Sequence, residues 1–208
     1  GYSAGTRLVS RMLADLGMYG YSLSKEDIDA RVKLGNVILI GSDVDRSIMG
    51  GYLLDGALRI PEALTIYQSQ DDGALNMSRK IFRLERSGQM VIDGPLSPEE
   101  EKFFADHPQL WLIDVTNAQG GTDHGGHSYF RTSPWVSSDI LMTLMYSLSP
   151  EERGLVKYED FPVWDFPEHY VPRLRSALAE VNPALGEAIR EYEASLEAGE
   201  GEKDEESQ

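Results

Sequence analysis

A serine, then carboxylates, then imidazoles: in that order along one chain, these side chains can carry out nucleophilic catalysis. Gly1-Tyr2-Ser3-Ala4-Gly5 has the pattern G-x-S-x-G and opens an amphipathic stretch, as a turn that projects a serine hydroxyl between a strand and a helix must. Such a turn is expected to leave no space for a Cβ two residues either side of the serine, which explains Gly1 and Gly5. A helix starting there aims free N–H groups and a partial positive charge at the hydroxyl. The Ala4 amide then becomes an oxyanion donor. A serine nucleophile needs a base, and the base needs a carboxylate to fix its tautomer. Asp71 and Asp72 supply carboxylates, and His124 and His127 supply imidazoles.

The elements that must hold these residues are legible in the hydrophobic pattern. Leu8, Met12 and Leu16, flanked by Val9 and Leu13, predict a helix over Ser3–Leu16 with that stripe buried and with Gly17 and Gly20 ending it. Lys25–Leu34 reads as a second, more polar helix, and residues 45–57 as a third that carries Gly50-Gly51. Asn36–Ile40, Ala63–Ser69 and Leu110–Val115 are short, continuous apolar runs, the mark of strands buried on both faces. A helix is predicted from Gly73 to Leu84 and a loop from Arg86 to Pro95. Ser97-Pro-Glu-Glu100 has the capping-box pattern, and Ser149-Pro-Glu-Glu152 repeats it over an expected short helix. A Gly-rich loop, Thr116–Ser128, leads to a helix over Pro134–Ser147 in which Leu141, Met142 and Met145 are expected in the core. Phe161–Pro172 reads as a surface-hugging connection. Leu174–Leu196 reads as the last helix, interrupted near Pro183, with disorder expected beyond Gly199.

Strands alternating with helices imply a parallel sheet with right-handed crossovers, flanked by helices: an α/β fold. Ligands of such sheets bind at the carboxyl ends of the strands. That places Asp71 and Asp72 after the second strand, and His124 and His127 after the third, at the productive edge.

The chain resembles an uncharacterised bacterial branch of the α/β-hydrolases. The resemblance rests on the serine turn, on Ile40-Gly-Ser-Asp-Val-Asp45, on Tyr67-Gln-Ser-Gln-Asp-Asp-Gly-Ala-Leu75 and on Gly126-His-Ser-Tyr-Phe130, and covers Gly1 to Tyr146. It implies the C-terminal half of an α/β-hydrolase fold, with Ser3 as nucleophile, Asp72 as orienting acid and His127 as base. The resemblance does not supply the branch's substrates; the Ser, Asp, His order itself favours a serine hydrolase of the carboxylesterase or lipase kind, expected to act on a small-molecule or lipid ester. Tyr2 stands where many members have His, and Gly41-Ser42 replaces the more usual Ala-Pro. On this reading the chain is an N-terminally truncated fragment with its main domain over 1–198 and an acidic tail over 199–208. Substrate and compartment stay open.

Other readings compete at single positions. Asp43 and Asp45 follow the first strand and could supply the acid, though both are expected to cap the next helix. Asp71 reads as a solvated neighbour, Asp139 as support for the Pro134 helix, and His107 and His169 as surface residues. Asp123, His124 and His127 could form a metal cluster, but a third ligand at helical spacing is missing, so no metal is expected. A non-catalytic binding module of the same fold is the alternative to an enzyme.

Composition narrows the classes further. The chain has 208 residues, no cysteine and a net charge of −16. The missing thiol excludes disulfides, thiolate zinc sites and a cysteine nucleophile. Glu191–Gln208 holds eight acids and one lysine, so −7 of that charge sits in the last eighteen residues and −9 in the rest. An acidic surface argues against a nucleic-acid partner. Neither a G-x-G-x-x-G nor a Walker pattern appears, so no nucleotide cofactor is implied.

Overall fold

A computed structural model describes residues 1–72, 75, 87, 96–118, 126–159 and 161–205, the last ten of these as backbone only. The elements run α1 (Gly5–Tyr19), α2 (Lys25–Val32), β1 (Asn36–Ile40), α3 (Arg46–Leu54), a 3₁₀ turn (Ala57–Arg59), β2 (Ala63–Gln68), α4 (Pro98–Asp106) and β3 (Leu110–Asp114). They continue with α5 (Tyr129–Thr132), α6 (Pro134–Tyr146), β4 (Val156–Lys157), β5 (Val163–Asp165), α7 (Tyr170–Val181) and α8 (Pro183–Glu205). The helix predicted over Gly73–Leu84, the loop over Arg86–Pro95 and the residues Asp123, His124 and Gly125 lie outside the described residues, apart from Leu75 and Ser87.

The strands form one sheet in the order β1-β2-β3-β5-β4. β1, β2, β3 and β5 are parallel, with Val37 opposite Leu64, Leu64 opposite Leu110, and Leu112 opposite Val163. Only β4 is antiparallel, on β5. Alternate side chains feed two cores, because successive strand residues point to opposite faces. Val37, Leu39, Leu64 and Ile66 pack with Leu13, Ile28 and Met49 on the face covered by α1–α3. Ile40, Tyr67 and Ile113 pack with Trp135, Val136 and Tyr170 on the face covered by α5–α7. Burial on both sides is what the continuous apolar runs predict, and the α/β class follows.

Several local expectations are corrected by packing. Helix α1 does not end at Gly17 but continues to Tyr19 and is capped at Gly20. It buries Thr6, Ser10, Leu13, Ala14 and Gly17, whereas Leu8 is 76% and Met12 42% exposed. The helix is thus rotated away from its most apolar stripe. Gly17 explains the rotation, since a Cβ there would lie 2.6 Å from the Gly56 backbone, a contact only a glycine permits. In α6, Met142 is buried but Leu141 and Met145 are more than half exposed, so only part of the expected apolar set is core.

The segment Phe161–Pro172 is more than a connection: Val163–Asp165 forms β5 beside β3, a strand too short and too aromatic to announce itself by alternation. Ser149–Glu152 forms a turn rather than a helix, although its box closes: the Ser149 N–H donates to Glu152 Oε2 at 2.7 Å and the Glu152 N–H to Ser149 Oγ at 3.4 Å. The box at Ser97 caps α4 as its pattern predicts. Helix α8 begins at Pro183, where the interruption is expected, and its backbone is helical to Glu205. Among the described residues no helix is long and apolar enough to cross a membrane.

Candidate active site

Gly1 and Tyr2 lie alongside β1 in parallel pairing. The Ile40 N–H donates to Gly1 O, and the Ser3 N–H donates to Ile40 O, both at 2.9 Å. The chain then turns sharply into α1, so Ser3 stands where an extended segment becomes a helix. Its φ is +51°, a left-handed conformation that costs a residue with a Cβ roughly 1 kcal/mol or more. The turn is held by Gly5 N–H to Tyr2 O (2.9 Å) and Thr6 N–H to Ser3 O (3.0 Å). The buried Thr6 hydroxyl adds a third tie, donating to Ser3 O at 2.6 Å while accepting from the Asp43 N–H at 3.2 Å. Such a strained turn is the geometry that G-x-S-x-G requires.

The two flanking glycines have different reasons. A Cβ on Gly1 would lie 3.2 Å from Thr6 Cα and from Val9 Cγ2, a crowded position. A Cβ on Gly5 would meet no described atom within 4 Å, so crowding does not explain that glycine. Ala4 is already helical, at φ −56° and ψ −26°, and no side chain caps α1. Its N–H has no partner among the described residues, as an oxyanion donor requires.

Asp72 follows β2 and is wholly buried. One carboxylate oxygen accepts the Leu75 N–H at 3.0 Å. The other stands 2.7 Å from Nδ1 of His127. The buried acceptor favours a proton on Nδ1, which leaves Nε2 as the basic nitrogen. Gly126 brings the histidine in: at φ +61°, a Cβ there would be 2.4 Å from the Asp71 carbonyl oxygen. Only a glycine at position 126 permits this approach to the Asp71 backbone.

The imidazole rests on the strand end that carries the serine turn. A Cβ on Gly41, at φ +52°, would lie 2.8 Å from His127 Cε1 and 3.4 Å from Asp72 Oδ2. The Tyr2 ring lies 5.0 Å from that of His127 and 4.8 Å from that of Phe130. The residues expected to act as nucleophile, acid and base therefore converge on one end of the sheet, as the carboxyl ends of its parallel strands demand.

The competing carboxylates are occupied elsewhere. Asp45 caps α3, accepting the Ser47 N–H at 2.9 Å and the Ile48 N–H at 3.3 Å. Asp43 does not cap that helix as expected; its carboxylate pairs with the Arg7 guanidinium of α1. Asp71 is exposed. Asp139 does far more than support its helix. Wholly buried, it accepts from Arg153 Nε at 2.7 Å, Arg153 Nη2 at 3.2 Å and the Tyr67 hydroxyl at 2.5 Å. Burial, with the Asp139 charge beside it, pushes the Tyr67 phenol well above its usual range. His107 Nδ1 donates to Phe103 O at 2.8 Å, and His169 is exposed.

Two contributors escape sequence reasoning. Gly41 is the floor under His127, and its signal was a glycine directly after a buried strand. Tyr129, 3% exposed, carries a hydroxyl that accepts the Gly41 N–H at 2.7 Å and donates to Tyr67 O at 3.1 Å. Burial raises its phenol far above the ordinary range, so the hydroxyl stays protonated.

The description alpha/beta hydrolase of unknown function (DUF900) matches residues 1–145. That is well over half of the chain, and the chain belongs to this family. No curated protein matches it, nor does any solved structure.

Proposed function

We propose that this α/β-hydrolase cleaves an ester or related acyl bond through a serine acyl-enzyme. The contact between His127 Nδ1 and the buried Asp72 carboxylate, 2.7 Å long, carries the reading. A buried carboxylate aimed at Nδ1 sets the tautomer that a general base needs.

Ser3 Oγ attacks the carbonyl carbon while His127 takes its proton. The C–O bond to the leaving group then breaks as His127 returns the proton to it. Water attacks the acyl-Ser3 ester in the same way and releases the acid. Asp72 holds the imidazole and stabilises the imidazolium without itself taking a proton. The Ala4 N–H, at the uncapped start of α1, donates to the developing oxyanion, a contribution of ~3–4 kcal/mol for a donor of this kind. The Tyr2 and Phe130 rings give the site an apolar wall that suits a small-molecule or lipid ester.

A fluorophosphonate probe tests this on the intact protein, because it modifies only a serine whose base is in place. Labelling that maps to Ser3 and vanishes in Ser3→Ala supports the reading. A probe that leaves the folded protein unmodified overturns it in favour of a binding module.

A further inference from the structure

The Ile40–Gly41 peptide bond bears on both halves of the candidate site. On its carbonyl side, Ile40 O accepts the Ser3 N–H at 2.9 Å. On its amide side, the Gly41 N–H donates to the Tyr129 hydroxyl at 2.7 Å. The Gly41 Cα lies directly under the His127 ring, since a Cβ there would fall 2.8 Å from Cε1 and 3.1 Å from Nδ1. Tyr129 is itself two residues beyond His127, at the start of α5. Its hydroxyl also donates to Tyr67 O at 3.1 Å, in the strand that leads to Asp72. One buried hydroxyl thus joins the strand end bonded to Ser3, the strand leading to Asp72 and the segment that delivers His127.

We propose that Tyr129 is a positioning residue that sets the His127 imidazole against Ser3 by fixing the Ile40–Gly41 peptide from its amide side. This rests on the serine-hydrolase reading above for its catalytic consequence, but not for its geometry. The physical case is one of tolerance. A base must lie within hydrogen-bond reach of the hydroxyl it deprotonates, and a displacement of ~1 Å can cost ~100-fold in rate. The aromatic ring alone fills the core at Tyr129; only the hydroxyl engages the two strand ends. Substituting phenylalanine therefore keeps the packing and releases the strand ends, leaving the Gly41 N–H without its acceptor.

Tyr129→Phe in the intact protein tests this with two readouts at a temperature where the variant is fully folded. The expected result is a ~10–100-fold fall in kcat and in the rate of Ser3 phosphonylation, with KM within about twofold of the parent. The second readout is the His127 imidazole followed by NMR titration. Its midpoint and ring chemical shifts are expected to move in Tyr129→Phe whether or not the protein turns over substrate. Unchanged kinetics together with an unchanged His127 titration overturn the proposal. If the parent protein fails to label at Ser3 but the titration still moves, the function falls and the positioning role stands. A fall in rate that merely follows loss of folded protein, with the titration of the folded fraction unaltered, also overturns it.

Discussion

Nδ1 of His127 stands 2.7 Å from Oδ2 of Asp72, across fifty-five residues of chain, and the carboxylate is wholly enclosed. If this pair works on Ser3, its two halves have different signatures. Asp72→Asn keeps the shape but offers an N–H or a weaker acceptor to Nδ1, and kcat falls by roughly 10⁴-fold through the wrong tautomer. His127→Ala lowers kcat by ~10³-fold or more, because a serine without its base is a poor nucleophile at neutral pH. His124→Ala costs less than about tenfold, a change under ~1.4 kcal/mol. Steady-state kinetics on a chromogenic ester check all three. An inactive His124→Ala beside a mild His127→Ala would transfer the base to His124.

The two glycines at positive or helical φ near the site separate steric need from helix entropy. Gly5→Ala adds a methyl into open space at the first residue of α1 and raises stability by ~0.5–1 kcal/mol. Gly41→Ala combines a left-handed φ with a 2.8 Å approach to His127. It lowers stability by ~1–2 kcal/mol and displaces the imidazole. Urea unfolding gives the two signs directly; equal effects would mean that the Gly41 backbone relaxes freely.

Thr6 ties the serine turn to the loop after β1. Thr6→Val keeps the volume and removes the hydroxyl that donates to Ser3 O and accepts from the Asp43 N–H. It leaves Ser42 Oγ, 3.2 Å from the Thr6 hydroxyl, with one partner fewer. The expected loss is ~1–3 kcal/mol of stability, the desolvation cost of polar groups left unpaired. Thr6→Ser restores most of it. A stable Thr6→Val would show that the backbone bonds alone hold the turn.

Asp139 and Arg153 form an ion pair with both side chains wholly buried. Asp139→Ala leaves the buried guanidinium charge without its carboxylate, takes an acceptor from the Tyr67 hydroxyl and costs ~3–5 kcal/mol. Replacing the pair together, as Asp139→Leu with Arg153→Met, costs less than the single change because no charge is left behind. Thermal melts rank the two; a double variant worse than the single would mean that the pair itself, not the stranded charge, supplies the stability.

Burial raises the Asp165 carboxyl above its ordinary range, and the neighbouring Asp114 charge adds to it. The folded protein therefore holds this proton more tightly than the unfolded chain. The stabilisation is complete below pH ~4 and is lost as pH rises through the folded-state value. Asp165→Asn removes that pH-dependent loss while Asn Oδ1 keeps an acceptor for the Phe166 N–H, now 2.7 Å from Asp165 Oδ1. Melting temperature against pH is expected to fall less steeply above about pH 4 in the variant. Parallel curves would place the Asp165 charge outside the stability balance.

The sequence by itself determined the strands β1, β2 and β3 and their parallel arrangement. Runs such as Asn36–Ile40 and Leu110–Asp114 are apolar without alternation, and only burial on both faces accounts for that. It also determined the Ser97 cap and the break at Pro183, because each is written within a few residues, and it carries the Ser3, Asp72, His127 order directly. Tertiary structure decided what depends on distant neighbours. The rotation of α1 away from Leu8 and Met12 is set by Gly17 against Gly56, thirty-nine positions on. Asp43 is drawn from helix capping to Arg7 and Asp45 is held at the start of α3, so Asp72 is the carboxylate that meets His127. The strand β5 and the enclosed Asp139–Arg153 pair exist only once the sheet has formed. Periodicity and propensity are local quantities, whereas contacts between residues tens of positions apart follow from sheet register, which no single segment encodes.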